Sequence, residues 1–199
     1  MRTAFAFTVA ALCASTSALA SAPPGQPAPA FTLTDLSGKA VNLADYKGKT
    51  VVLEWHNFGC PFVQKHYRSG NMQALQKKYA NDVAWLAVNS TAKTAFDYME
   101  PSAVSKQLAE FRAAPASYLM DEAGSVGMSY GARTTPHMYI IDPSGKVVYN
   151  GAIDDKRSTN VEDVKGAKNY VAAALDEMKA GKPVTVASTT PYGCSVHYK

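Results

Sequence analysis

Basic runs are missing from this chain. Its 20 lysines and arginines stand against 16 acidic residues, and the formal charge of +4 is spread without a cluster. That removes nucleic acid as a partner, because binding a phosphate backbone needs a concentrated basic surface. Long apolar runs are missing too, beyond the first twenty residues, so no later stretch can insert stably in a membrane. Neither an internal repeat nor a second linker interrupts the chain. About 180 residues beyond the N-terminal segment suffice for one compact domain. Cysteine is scarce, with Cys13, Cys60 and Cys194 the only three. No motif calls for a cofactor.

The N-terminus has the pattern of a secretory signal peptide over residues 1–20. One positive charge at Arg2 precedes an apolar run from Ala4 to Ala14, too short to span a bilayer, and Ala18-Leu19-Ala20 makes a small-x-small site before Ser21. Cleavage after Ala20 exports the remainder as a soluble protein, placed in a bacterial periplasm. Cys13 leaves with the segment, so Cys60 and Cys194 remain as an even pair in a compartment that permits disulfides. A bond between them closes nearly the whole domain, and chain entropy assigns such a loop about 5 kcal/mol at most. A permanent structural staple is therefore one reading of the pair.

The chemistry-bearing stretch runs from Val51 to Tyr67. Val51-Val52-Leu53-Glu54 have strand character, Gly59 lies in a turn, and Pro61 stands where a helix begins. Cys60 is thereby placed at a helix N-terminus, where unpaired N–H groups and the helix dipole favour negative charge. Such a cysteine is a candidate nucleophile. The opposing reading makes it a small buried apolar residue.

Along the rest of the chain the pattern predicts a mixed α/β sheet. Residues 21–27 form a proline-rich leader without a core of its own. Phe31–Leu33 and Val41–Leu43 make a hairpin around Ser37-Gly38, Thr50–Trp55 a strand, and Pro61 to Tyr79 a helix that Gly70 breaks. Val83–Asn89 reads as a second central strand covered on both faces. A helix over 102–111 starts from a serine cap, Tyr118–Met120 is a short strand, and 122–130 is weakly helical. His137–Asp142 and Lys146–Asn150 make a hairpin, and Gly166–Gly181 is the best helix by spacing. The domain is bounded at 28–183, with a C-terminal tail over 184–199 that carries Cys194.

Three features carry a resemblance: the strand–turn–Cys60-Pro61–helix unit, the Thr134-Thr135-Pro136 loop entering a strand, and the hairpin through Asp142 and Gly145. Together, over roughly residues 28–182, they resemble the thioredoxin fold in its redoxin branch. That branch includes alkyl hydroperoxide reductase and thiol-specific antioxidant, or peroxiredoxin-like, proteins. Pro27–Asp35 looks like its N-terminal hairpin. The resemblance implies a three-layer fold with a mixed central β-sheet flanked by helices, an N-terminal hairpin and an extended tail. It also implies a cis bond before Pro136, facing Cys60, and a thiol-dependent oxidoreductase.

The departures from that pattern matter as much. Thioredoxin-like reductases carry two cysteines separated by two residues, but the second place here is Val63. Peroxiredoxins carry a proline seven residues and a threonine or serine three residues before the reactive cysteine, where this chain has Leu53 and Asn57. Their arginine falls close to Thr135-Pro136, where Arg133 is near enough to serve. An oxidised Cys60 must be resolved by Cys194, another chain or a small thiol. The ending Gly193-Cys194-Ser195-Val196 is similar to that of other exported redoxin-like proteins.

As a redox enzyme, Cys60 attacks a peroxide to give a sulfenic acid, or a disulfide to give a mixed disulfide. Cys194, on a mobile tail, then resolves it. An external thiol reductant, a thioredoxin-like or membrane electron-transfer protein, reopens the bond. Peroxide reduction stands first and disulfide exchange close behind. The site residues are Cys60, Cys194, Asn57, Arg133, Thr135 and Pro136, with Lys65 and His66 as further neighbours of the sulfur. His66 is more readily a partly exposed packing residue. Glu54 is a minor acid/base candidate, costly to bury unless partnered. Asp154 and Asp155 read as acids that cap or solvate a loop. Two non-enzyme readings compete: a copper-handling module using Cys60, His56 and His66, with His137 and His197 as further ligands, and a binding domain stapled by Cys60–Cys194.

Overall fold

Strands of unequal burial order this molecule from its edges to its centre. The computed structural model describes residues 22–199, and the signal peptide expected over residues 1–20 lies outside the described residues. In chain order the elements are β1 (Thr32–Asp35), β2 (Ala40–Asn42), β3 (Thr50–Trp55), α1 (Pro61–Arg68), α2 (Asn71–Tyr79), β4 (Val83–Asn89) and α3 (Pro101–Phe111). Then come β5 (Ser117–Met120), α4 (Ser125–Tyr130), β6 (Thr134–Thr135), β7 (His137–Ile141), β8 (Val147–Gly151), α5 (Tyr170–Lys179) and β9 (Cys194–Ser195). Short 3₁₀ turns occupy Leu43–Tyr46 and Val161–Gly166.

Seven strands form one mixed sheet in the order β2-β1-β5-β4-β3-β7-β8. The central β3, β4 and β5 run parallel, while β7 lies antiparallel to β3 and turns back into β8. The N-terminal hairpin β1–β2 adds antiparallel to β5. Alternation along each strand sends side chains to opposite faces. Val52, Trp85, Ala87, Met138 and Ile140 face α1, α2, α3 and α5. Val51, Leu53, Trp55, Leu86, Val88 and Tyr139 face α4 and the N-terminal residues. Covering both faces of β3 and β4 demands strands apolar nearly throughout, which is what their sequences supply. Each fully buried Leu or Val there contributes about 1.5–3 kcal/mol.

Gly70 divides the helical stretch as expected. Its φ of 75° ends α1 and starts α2, a conformation glycine adopts without steric cost. Two helix starts differ from the sequence reading. α3 begins at Pro101 with Glu100 as its cap, so Ser102 does not cap it. Proline at the first helical position loses no hydrogen bond there. α5 begins at Tyr170 and not at Gly166, because the Asn169 side chain accepts from the Ala172 N–H and 161–166 is spent in a 3₁₀ turn.

Both chain ends are docked on the domain. The described part of the leader, without a core of its own, packs against the domain's core. Ala22 is buried among the second-face residues, Gly25 N–H donates to the Val147 carbonyl, and Pro27 bridges Lys146. The tail is not a loose arm. It runs back across the Cys60 end of the sheet and pairs β9 antiparallel with β6 in a second, two-stranded sheet.

Candidate active site

The site is assembled where β3 gives way to α1. His56 N–H still donates to the Val88 carbonyl, after which the chain turns. Asn57 shapes that turn: its Oδ1 accepts the Gly59 N–H at 2.7 Å, and its Nδ2 donates to Thr91 Oγ1 at 3.0 Å and to Asp97 Oδ2 at 2.9 Å. The Asn57 carbonyl accepts the Cys60 N–H. Cys60 is the N-cap of α1, with extended φ and ψ of −86° and 121°, and Pro61 follows at the first helical position. The sulfur therefore lies at the positive end of α1.

A second loop meets it. The Thr135–Pro136 bond is cis, and the Thr135 carbonyl oxygen is 2.9 Å from Cys60 Sγ. β9 lies on β6 with Thr134 opposite Ser195 and Thr135 opposite Cys194. That register brings Cys194 Sγ to 2.6 Å from Cys60 Sγ. Gly193 makes the approach possible. Its φ is 144°, and a Cβ there would collide with the Thr135 carbonyl oxygen, so only glycine admits the strand so near.

The arm is fastened on both sides of Cys194. Upstream, the Tyr192 hydroxyl donates to Asp154 Oδ1. Downstream, Val196 N–H donates to the Arg133 carbonyl and Ala92 N–H to the His197 carbonyl. His197 Nδ1 meets Asp97 Oδ1 at 2.9 Å, and Tyr198 Oη donates to the Ala132 carbonyl at 2.7 Å. The expected mobile tail is thus docked, and Cys60 beneath it is only 3% exposed. The reason lies in long-range pairing, which the tail's own composition does not reveal.

The titratable groups divide by cause. Burial raises the Cys194 thiol, with the adjoining Cys60 adding to the rise through its hydrogen bond and its charge. Glu54 is fully buried and accepts from Trp85 Nε1 at 2.8 Å and from Tyr67 Oη at 3.0 Å. Desolvation outweighs those bonds and holds it at about 7. Desolvation lowers His56 and His137 to about 3 and His66 to about 4.

Of the sequence-derived site residues, Cys60, Cys194, Thr135 and Asn57 converge at the sulfur pair, with Pro136 next in the chain. Arg133 is exposed and contributes its main-chain carbonyl to the arm. Lys65 and His66 turn away into a buried cluster with Asp154, so His66 is a fully buried residue and not a half-exposed one. Asp154, read as a loop acid, is itself buried. The tail residue His197, offered as a further copper ligand, pairs with Asp97 instead. The copper set does not assemble: His56 bonds Tyr118 and His66 bonds Asn71, and among the described residues no three potential ligands gather. Asp97, Asp154, Tyr192 and Gly193 escaped sequence reasoning as site residues. Only the Gly193-Cys194 dipeptide carried a signal that could have found one of them.

Comparison with known proteins agrees with this geometry. The Redoxin family profile matches residues 23–170. The chain is 32% identical over 129 residues to the thioredoxin-like protein YneN of Bacillus subtilis, an alignment covering 62% of this chain and 68% of that one. It is 30% identical over 124 residues to the thiol-disulfide oxidoreductase ResA of Bacillus thuringiensis, covering 62% and 66%. A solved structure of an uncharacterised conserved protein from Geobacillus kaustophilus superposes with a TM-score of 0.76 at 32% identity, covering 89% of this chain and 93% of that one. Matched over most of its length, and folded as such proteins fold, the chain belongs to the redoxin family.

Proposed function

We propose that this protein is an exported thiol–disulfide oxidoreductase in which Cys60 attacks and Cys194 resolves. The observation that carries the reading is the 2.6 Å separation of the two sulfurs, held by the Thr135–Cys194 register. The thiolate of Cys60 attacks one sulfur of a substrate disulfide, forming a mixed disulfide and releasing the other substrate sulfur as a thiolate. Cys194 gives up its proton, its thiolate attacks Cys60 Sγ, and the second substrate thiolate leaves. The substrate disulfide is reduced and the protein dithiol oxidised. An external thiol reductant returns the two electrons.

The shift on Cys194 suits that order. One cause of its raised value is the adjoining Cys60, and mixed-disulfide formation removes the charge from that sulfur. The resolving thiol becomes more acidic when it is needed.

Disulfide exchange is favoured over peroxide reduction by what surrounds the nucleophile. Cys60 Sγ meets a carbonyl oxygen and a second thiol, whereas cleaving a peroxide calls for donors aimed at the departing oxygen. The Asn57 amide is already committed to Thr91 and Asp97. The name of the ResA relative supports the same choice. The signal-like N-terminus supports export, into a compartment where disulfides persist. Among the described residues no helix is long and apolar enough to cross a membrane. A structural staple is less apt, since Tyr192, His197 and Tyr198 already fasten the arm without a covalent bond.

Turnover of a fluorescent disulfide peptide, with hydrogen peroxide consumption measured alongside, tests the reading. Cys60→Ser should abolish exchange, and Cys194→Ser should accumulate a Cys60–substrate mixed disulfide visible by mass spectrometry. Peroxide consumption that outpaces exchange in the wild-type protein overturns the choice of reaction.

A further inference from the structure

The exchange chemistry leaves one polar cluster unused. Asp154, 2% exposed, accepts the Tyr192 hydroxyl and the Lys156 N–H at Oδ1. Its Oδ2 has no hydrogen-bond partner and faces Lys65 Nζ at 3.6 Å and His66 Nε2 at 4.0 Å. Lys65 Nζ donates to the Lys156 carbonyl at 2.6 Å and lies 5.6 Å from the centre of the Tyr192 ring. The Asn71 amide approaches His66 Nδ1 at 3.0 Å as a donor. The proton of neutral His66 is therefore on Nε2, which lies 3.3 Å from the Tyr192 hydroxyl oxygen. A chain of donors runs from His66 through Tyr192 to Asp154.

Its place in the fold gives this cluster a role. Lys65 and His66 belong to α1, whose N-cap is Cys60. Tyr192 lies two residues before Cys194 on the arm. One cluster thus grips the element carrying the first sulfur and the segment carrying the second. A lysine and an aspartate held out of water with a carboxylate oxygen unbonded are poorly compensated. When Tyr192 is seated, its hydroxyl supplies a donor that the buried carboxylate needs. When the arm lifts, water reaches Asp154 and Lys65, and their hydration favours the lifted state.

We infer that Tyr192 and Asp154 are positioning residues for thiol exchange: they form a clasp that sets how often the arm covers Cys60 and how effectively it presents Cys194. The inference rests on the exchange reading for its consequence, though the clasp itself can be measured without it. Substrate must reach a sulfur that the closed arm covers, so access to Cys60 follows release of the clasp. Resolution requires the arm to return, which turns a bimolecular attack into a local one at high effective concentration.

Two readouts on the intact chain test this, with Tyr79→Phe as control because the Tyr79 hydroxyl bonds Asp176 and the Ala172 carbonyl on α5, away from the arm. The first is the rate of iodoacetamide alkylation at Cys60 under native conditions, followed by mass spectrometry. Tyr192→Phe should raise it about tenfold, corresponding to a clasp bond of ordinary strength. Asp154→Asn, which keeps an acceptor for Tyr192 but loses the charge facing Lys65, should give an intermediate rate, and Tyr79→Phe no change. The second is the lifetime of a Cys60–glutathione mixed disulfide formed with oxidised glutathione, which Tyr192→Phe should lengthen by a similar factor. Wild-type rates in both Tyr192→Phe and Asp154→Asn, with only a lowered melting temperature, overturn the clasp. If alkylation responds but the wild-type protein forms no Cys60–Cys194 disulfide from glutathione, the clasp stands and the exchange reading falls.

Discussion

Gly193 decides whether the two sulfurs meet. Its backbone φ of 144° and its closeness to the Thr135 carbonyl leave no room for a side chain. Forcing one there costs about 1–3 kcal/mol in backbone strain alone, and each 1.4 kcal/mol shifts a docking equilibrium about tenfold. Gly193→Ala should therefore release the β9 segment and leave the rest of the fold within a few degrees of its melting temperature. Thiol titration after oxidised glutathione should find no Cys60–Cys194 disulfide in this variant. A wild-type yield of that bond would show that the arm tolerates another register. The Gly-Cys dipeptide was visible in the sequence. Its partner was not, because Thr135 is nearly sixty residues away and only β6–β9 pairing brings the two together.

At the scale of elements, the turn between β3 and α1 depends on one amide. Asn57 accepts from Gly59 and donates to Thr91 and Asp97, and Asp97 in turn holds His197 of the arm. Asn57→Ala would leave a buried Thr91 hydroxyl and a carboxylate short of partners, for a loss of about 1–3 kcal/mol. Urea unfolding should show that loss, and exchange turnover should fall with it because the Cys60 turn loses its anchor. Unchanged turnover at reduced stability would separate the turn's geometry from the chemistry. The arm yields a second prediction. Amide hydrogens of Ala92 and Val196, bonded to His197 and Arg133, should be protected from exchange in the full chain. In a chain ending at Pro191, Ala92 should exchange at least tenfold faster, a change of about one hydrogen bond in local stability. Equal protection would mean that the arm is not what holds the Ala92 loop.

Across the whole molecule, buried titratable groups set the dependence on pH. His56 and His137 titrate at about 3 and His66 at about 4 in the fold, against an ordinary 6.5. The unfolded chain therefore binds more protons below pH 6.5, and stability falls as the pH drops towards the folded values. Glu54 acts oppositely. Its folded value of about 7 exceeds the ordinary 4.5, so its contribution is complete below pH 4.5 and is lost as the pH rises through 7. Because three histidines act against one carboxyl, stability should rise from acid pH and level off near about pH 7.5, with Glu54 offsetting part of the gain. Glu54→Gln, which imitates the protonated acid, removes that offset and should enlarge the rise between pH 4.5 and 8 by up to about 3 kcal/mol. Urea unfolding of both proteins from pH 4.5 to 8 checks this, and an identical rise in the two would show that Glu54 does not stay protonated in the fold.

Local signals were enough for the α/β sheet, because the apolar strand runs, the Gly70 break and the Cys60-Pro61 helix start need no partner. They also placed Cys60 at the start of α1, since Pro61 follows it, whereas the burial of Glu54 emerged only with its partners Trp85 and Tyr67. Tertiary pairing alone docked the tail, buried Asp154 under Tyr192 and set Asp97 against His197. Those outcomes depend on pairs separated by more than thirty residues, whose contact energies are absent from any local pattern. The same long-range closure turned two distant cysteines into neighbouring sulfurs, for no feature around residue 60 or residue 194 specifies where the other will lie.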